Sequence, residues 1–329
     1  MKRLAIIGGG AWGTALAIVA RRAGSVPVLW ARDPEVVDAI NERHENPLFL
    51  PQVTLDPGIT ATVDIEAAVA DADAALLVVP AQFLRDVVGR LAPHLRPGMP
   101  VLHCAKGIET ASLNTMSEVA AEIIPDAPSA VLSGPTFAAE VARGLPTAVT
   151  IASHDASLGR AFTAALGSGR FRPYLSDDPI GAEIGGAVKN VLAIACGVVT
   201  GRGLGDNARA ALITRGLAEM IRLGVAKGGR AETFRGLSGL GDLVLTCSAN
   251  QSRNFALGLA LGRGETLGAV LRGRRSIVEG VATAAAVVRL GLRLGIEMPI
   301  SEVVDALLHR GEPIDGMIDL LLRRPYRTE

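Results

Sequence analysis

Aromatic residues are nearly missing from the 329-residue chain: phenylalanine, tyrosine and tryptophan together make up 3% of it. Ala, Val, Leu and Ile must therefore fill any core, and at 49% hydrophobic residues that core is sizeable. The length exceeds a typical single domain, so two domains are expected. Cysteine is also scarce. Cys104, Cys196 and Cys247 are an odd, widely spaced set without a C-x-x-C, which argues against a disulfide scaffold or a cysteine zinc site and for a reducing, cytoplasmic compartment. The five histidines show no ligand spacing, so no metal site is expected. Formal net charge is zero and no polybasic tract occurs, so no nucleic-acid footprint is visible.

Lysine is scarce as well, at four of the 33 basic residues: Lys2, Lys106, Lys189 and Lys227. Arginine is this chain's default cation. Lysine, unlike arginine, can lose its proton when its surroundings lower its pKa. Long membrane-spanning runs are not expected either. The N-terminal apolar stretch breaks at Gly8-Gly9-Gly10, too soon for a secretory leader. The longest apolar run, Ile184 to Val199, is interrupted by Lys189 and Asn190 and reads as a buried helix.

What is present is an alternation. Apolar runs at Leu4–Ile7, Val26–Trp30, Ala74–Val79, Val101–Ala105, Ala130–Leu132 and Ala148–Ala152 are mostly separated by helical patterns. Such runs fit strands buried on both faces of a mostly parallel sheet with helices on either side. From about Asp177 no strand is expected; Ala/Leu/Val stretches at helical spacing take over. The pattern predicts an α/β domain over residues 1–180, followed by an all-α C-terminal domain over residues 181–329.

The strongest local motif opens the chain. Strand Leu4–Ile7 runs into Gly8-x-Gly10-x-x-Gly13, and Thr14–Ala23 reads as a helix closed by Gly24. In this context Gly8 permits a tight turn, Gly10 admits a pyrophosphate to the backbone, and Gly13 lets helix and strand pack closely. The phosphates would meet the free N–H groups at the helix N-terminus. These features mark a Rossmann-type dinucleotide-binding domain. The cofactor is NAD or NADP: Asp33, twenty residues past Gly13, suits the ribose hydroxyls of NAD, while Arg32 suits the 2′-phosphate of NADP. Asp33-Pro34 is equally a good helix start, with Asp33 as N-cap.

In an open parallel sheet, ligands bind beyond the carboxyl ends of the strands. The loop around Pro80, Ala105–Glu109 and Ser133–Phe137 lie there, so Lys106 should point into the crevice unless it is an ordinary solvated lysine. Lys189 sits in a segment apolar nearly all round, where an ammonium must shed its proton or find a partner. It is either a general acid/base or one half of a structural salt bridge, to Glu183 or to a distant aspartate. Asp242 follows the glycines of Gly239-Leu240-Gly241 and could be an N-cap. Ser252-Arg253-Asn254 offers a hydroxyl, a guanidinium and an amide within three residues, suited to a phosphate or simply to solvent.

Taken together, Gly8–Thr14, Ala105–Glu109, Ser133–Phe137, Gly185–Asn190, Gly239–Cys247, Asn250–Asn254 and Val278-Glu279-Gly280 resemble the bacterial NAD(P)-dependent glycerol-3-phosphate dehydrogenases, over essentially the whole chain. The resemblance implies reversible hydride transfer between NAD(P)H and C2 of dihydroxyacetone phosphate, giving sn-glycerol 3-phosphate for glycerophospholipid synthesis. It implies that Lys189 exchanges the proton at the C2 oxygen, with Lys106 and Asp242 completing the catalytic set. Gly134, Thr136, Asn190, Thr246, Ser252, Arg253 and Asn254 would hold the substrate, together with those three. Gly8, Gly10, Ala11, Trp12, Gly13, Arg32, Lys106, Ala138, Arg253, Ile277 and Glu279 would hold the cofactor. Ala11 stands where some members carry serine, so one hydroxyl contact is missing. The resemblance also implies a homodimer acting on a small molecule. Two alternatives share parts of the pattern: a β-hydroxyacid or 6-phosphogluconate dehydrogenase, and a non-catalytic NAD(P) sensor.

Overall fold

A computed structural model describes residues 1–273, 276–323 and 325. Its strands are β1 (Arg3–Ile7), β2 (Val26–Trp30), β3 (Glu45–Asn46), β4 (Leu50–Thr54), β5 (Thr60–Thr62), β6 (Ala74–Leu77), β7 (Val101–His103), β8 (Ser129–Ser133), β9 (Thr147–Ala152) and β10 (Phe171–Ser176). Eight form one sheet in the order β10-β9-β8-β7-β6-β1-β2-β5; β3 and β4 pair separately as an antiparallel ribbon. Every pairing in the main sheet is parallel except β8 with β9. The chain reverses its direction of growth between β1 and β6, where a crevice opens at the carboxyl edge of such a sheet.

The six strands read from apolar runs are all present. Two of the strands missed by that reading, β5 and β10, are sheet edges. β5 is three residues long at one sheet edge. β10 is the opposite edge, half-exposed and interrupted by Pro173, which an edge strand tolerates. The first helix also starts earlier than expected, at Ala11 directly after Gly10.

Beyond β10 the described residues contain no strand. Helix Pro179–Gly201 is the axis of this half, with Asp178 accepting from Gly181 N–H as its cap and Pro179 in its first turn. It is long and apolar enough to cross a membrane, but 83% of its most apolar window is buried within the fold. Around it pack helices Gly205–Ala226, Asp242–Ser248, Arg253–Gly262 and Glu279–Leu294. Helix Arg253–Gly262 comes into backbone contact with the axis: a Cβ on Gly258 would lie 2.0 Å from Ile194 O.

The two halves do not divide cleanly. Ile108 and Leu113 lie in the loop after β7, yet both are buried in the hydrophobic core of the helical half. The same loop is held there by polar contacts: Arg289 donates to Thr110 O (2.7 Å) and Arg293 to Ser112 O (3.1 Å). Just beyond it, Ser117 donates its N–H to Glu183 (2.8 Å), and Lys227 pairs with Glu118 (2.6 Å).

Candidate active site

Four segments meet at the carboxyl edge of the sheet: the glycine turn after β1, the Pro80 loop after β6, the Lys106 loop after β7 and Gly134 after β8. The turn fits a dinucleotide. Gly8 has φ +134°, and a Cβ on Gly13 would sit 1.8 Å from Gly8 O, so both positions require glycine. Among the described residues no atom lies within 4 Å of the Cβ position at Gly10, which leaves room for a phosphate against the backbone. Among the described residues the buried Nε1 of Trp12 has no partner. The space is open where the group needs it and closed where the fold needs it.

Asp33 is the N-cap of helix Pro34–Arg43, accepting from Glu35 N–H at 3.1 Å. Arg32, beside it, is exposed. Ala138 opens the short helix Ala138–Ala142, half-buried. Ile277 is exposed just before helix Glu279–Leu294. At that helix start, Glu279 accepts from Ala81 N–H across the interface (3.3 Å). Burial pushes its carboxyl up to about 7, against the pull of the Ala81 N–H and the charge of Arg253.

The centre of the site is Asp242. It is not an N-cap: the π-helical turn Leu237–Gly241 leads directly into helix Asp242–Ser248, and Asp242 is completely buried in its first turn. Its Oδ1 takes Lys189 Nζ at 2.5 Å and its Oδ2 takes Lys106 Nζ at 2.6 Å. Lys106 also donates to Gly134 O (2.8 Å) and reaches Thr136 Oγ1 at 3.5 Å. Lys189 donates to Thr246 Oγ1 at 3.0 Å. Lys189 thus has its distant aspartate, while Glu183 is occupied with Ser117. Desolvation lowers the Lys189 pKa to about 8; the Asp242 charge resists this, and the Lys106 charge adds to it.

A ladder of amides joins this centre to the last predicted motifs. Asn190 Nδ2 reaches Lys106 O and Gly186 O, each at 3.4 Å. Asn254 donates to Asn190 Oδ1 (2.9 Å) and accepts from Gly280 N–H (2.9 Å). Ser252 caps helix Arg253–Gly262 through Phe255 N–H (3.2 Å), and Arg253 is exposed in that helix's first turn. Reading the sequence alone overlooked Gln82. It grips the Lys106 loop by donating to Ile108 O (2.8 Å) and accepting from Thr110 N–H (3.0 Å). Nothing local marks it, because its partners lie more than twenty residues away.

Residues 3–159 match the family described as NAD-dependent glycerol-3-phosphate dehydrogenase N-terminus, and residues 178–319 match the corresponding C-terminus. The chain belongs to the NAD-dependent glycerol-3-phosphate dehydrogenase family. It is accordingly an NAD(P)-dependent oxidoreductase. Glycerol-3-phosphate dehydrogenase [NAD(P)+] of Rhodospirillum rubrum is 60% identical over 327 residues, 99% of this chain and 93% of that protein. The Parvibaculum lavamentivorans enzyme is 56% identical, covering 100% of this chain and 98% of its own length. The crystal structure of glycerol-3-phosphate dehydrogenase from Coxiella burnetii superposes with a TM-score of 0.95 at 40% identity, covering 98% of this chain and 99% of that one. Family membership sets aside both alternatives that share parts of the motif pattern.

Proposed function

We propose that the enzyme reduces dihydroxyacetone phosphate to sn-glycerol 3-phosphate, with Lys189 as general acid and, in reverse, general base. The observation that carries this reading is the Lys106–Asp242–Lys189 bridge. A buried lysine with its pKa lowered to about 8 is matched to proton transfer near neutrality. The cofactor, when bound, supplies the hydride. As the C2 oxygen gains charge, Lys189 gives it a proton and Lys106 lies beside it. Two ammonium groups against one carboxylate leave one positive charge in excess, which favours that developing anion. Asp242 and Thr246 hold Lys189 in place. Gly134, Thr136 and Asn190 shape the same wall.

Arg253, with Ser252 and Asn254 at the same helix start, takes the remote phosphate, and that binding orients the ketone. Gly8, Gly10, Ala11, Trp12 and Gly13 hold the pyrophosphate, and Ala138, Ile277 and Glu279 line the remainder of the cofactor site. Asp33 caps its helix through Oδ1 and Arg32 beside it is exposed and can meet a 2′-phosphate, which supports use of NADPH. In this reading residues 1–180 bind the cofactor and residues 181–329 carry the acid/base. The enzyme works in the cytoplasm as a homodimer and supplies glycerophospholipid synthesis.

The test is loss of reduced-nicotinamide absorbance on adding dihydroxyacetone phosphate, run separately with NADPH and NADH. Rapid oxidation, faster with NADPH, is expected. Folded, nucleotide-binding protein that oxidises neither would sink the substrate assignment.

A further inference from the structure

The β3–β4 ribbon has no part in the main sheet, yet it lies against the glycine turn. Its contact residue is Asn46, which is completely buried. Asn46 Nδ2 donates to Gly9 O at 2.9 Å and to Thr14 Oγ1 at 2.8 Å, while its Oδ1 accepts from Phe49 N–H at 3.3 Å. Of these bonds only the one from Phe49 N–H stays within the ribbon's own loop; the other two reach the glycine turn and the first helix.

We propose that Asn46 is a positioning residue for the dinucleotide, fixing the Gly9–Gly10 peptide so that its N–H faces the pyrophosphate. The argument is geometric. A trans peptide is planar, and its C=O and N–H point in opposite directions. Asn46 holds the Gly9 carbonyl on the ribbon side, so the Gly10 N–H points away from the ribbon. That N–H has no acceptor among the described residues, and the space over Gly10 is open for 4 Å around its Cβ position. A Cβ on Gly9 would come within 2.5 Å of Ala31 Cβ, so Gly9 lies close against the residue that follows β2. Thr14, buried in the first helix, ties the same amide to the helix whose N-terminus faces the ligand. Asn46 thus pre-orients a donor that would otherwise have to be ordered on binding.

The inference rests on the glycine turn being the cofactor site, so the test uses cofactor fragments and equilibrium binding rather than turnover. Isothermal titration of full-length wild type and Asn46→Ala compares ADP-ribose, which contains the pyrophosphate, with AMP, which does not. In the folded variant the Kd for ADP-ribose is expected to rise about tenfold, as for one oriented hydrogen bond, while that for AMP stays within about twofold. An unchanged ADP-ribose Kd overturns the proposal, and so does an equal weakening of both ligands, which would indicate general loosening. If Asn46→Ala does not fold, the near-isosteric Asn46→Leu is read the same way; failure of both to fold assigns Asn46 to stability alone. Wild-type protein that does not bind ADP-ribose would instead refute the cofactor site itself, and the inference with it.

Discussion

Lys189 and Asp242 lie 53 positions apart, and their Nζ and Oδ1 atoms are 2.5 Å apart in a region closed to solvent. Neither group could be buried alone. Removing one partner of such a pair leaves an uncompensated charge. The same geometry holds Lys189 where its proton can be given away, because burial works against the charge that Asp242 sustains.

The pH dependence follows from that balance. Lys189 is protonated below about 8 and neutral above it. In the proposed mechanism reduction draws on this proton, so its rate should fall as pH rises through about 8, while oxidation of glycerol 3-phosphate should rise over the same interval. Lys189→Ala should lower kcat by about 10²–10⁴-fold and leave the dinucleotide Kd within about twofold. Near-normal turnover in that variant would remove Lys189 from the chemistry.

Gly107 is tested by adding a single methyl group. A Cβ there would lie 2.5 Å from Ala81 Cβ, with Thr283 Oγ1 and Glu279 Oε2 close behind. Gly107→Ala must push apart the Lys106 loop and the Ala81 turn. We expect kcat to fall about tenfold or more and stability to drop by about 1–3 kcal/mol. Both are read from steady-state kinetics and urea melts; a variant with wild-type values for both would show that the loop can yield.

Arg253→Ala should raise KM for dihydroxyacetone phosphate by about 10–100-fold, the worth of a charge-assisted hydrogen bond. Arg253→Lys should recover only part, because an ammonium lacks the paired donors. An unchanged KM would exclude Arg253 from phosphate binding.

Glu219 offers a stability test away from the site. It is buried and accepts from Ile300 N–H (2.7 Å), Ser301 N–H (3.3 Å) and Ser301 Oγ (3.3 Å). Desolvation raises its pKa from 4.5 to about 7 despite those bonds. The folded protein therefore holds this proton more tightly than the unfolded chain. The stabilising contribution is complete below about pH 4.5 and is lost as pH rises to about 7. Across that window wild type should lose on the order of 3 kcal/mol relative to Glu219→Gln, which does not titrate. Parallel Tm-against-pH curves for the two proteins would contradict this.

Much of the site could be read in advance for one reason: parallel strands present their carboxyl ends at one edge. Lys106 and Gly134 follow β7 and β8, so their convergence needs only the strand order. Lys189 was visible as a cation in a helix with no polar face. Asp242 was harder. The glycines before it suggested a turn, but the backbone continues through them as a helix, and the two lysines it joins come from segments far away in the chain. Arg32 and Asp33 stayed ambiguous because one dipeptide supports both a cap and a ligand contact; the Glu35 N–H bond establishes the cap. The edge strands β5 and β10 carry no continuous apolar run, since edge strands are wetted on one side.

The burial of Ile108 and Leu113 in the helical half bears on how such enzymes can be recombined. The nucleotide-binding half is not a portable module. Grafting residues 1–177 onto another helical partner would bring along two side chains shaped to a cavity left behind, and would expose apolar surface on both halves. Exchange between relatives should succeed when the crossover moves the loop after β7 together with the helical half, and should yield aggregates when it follows the linear boundary.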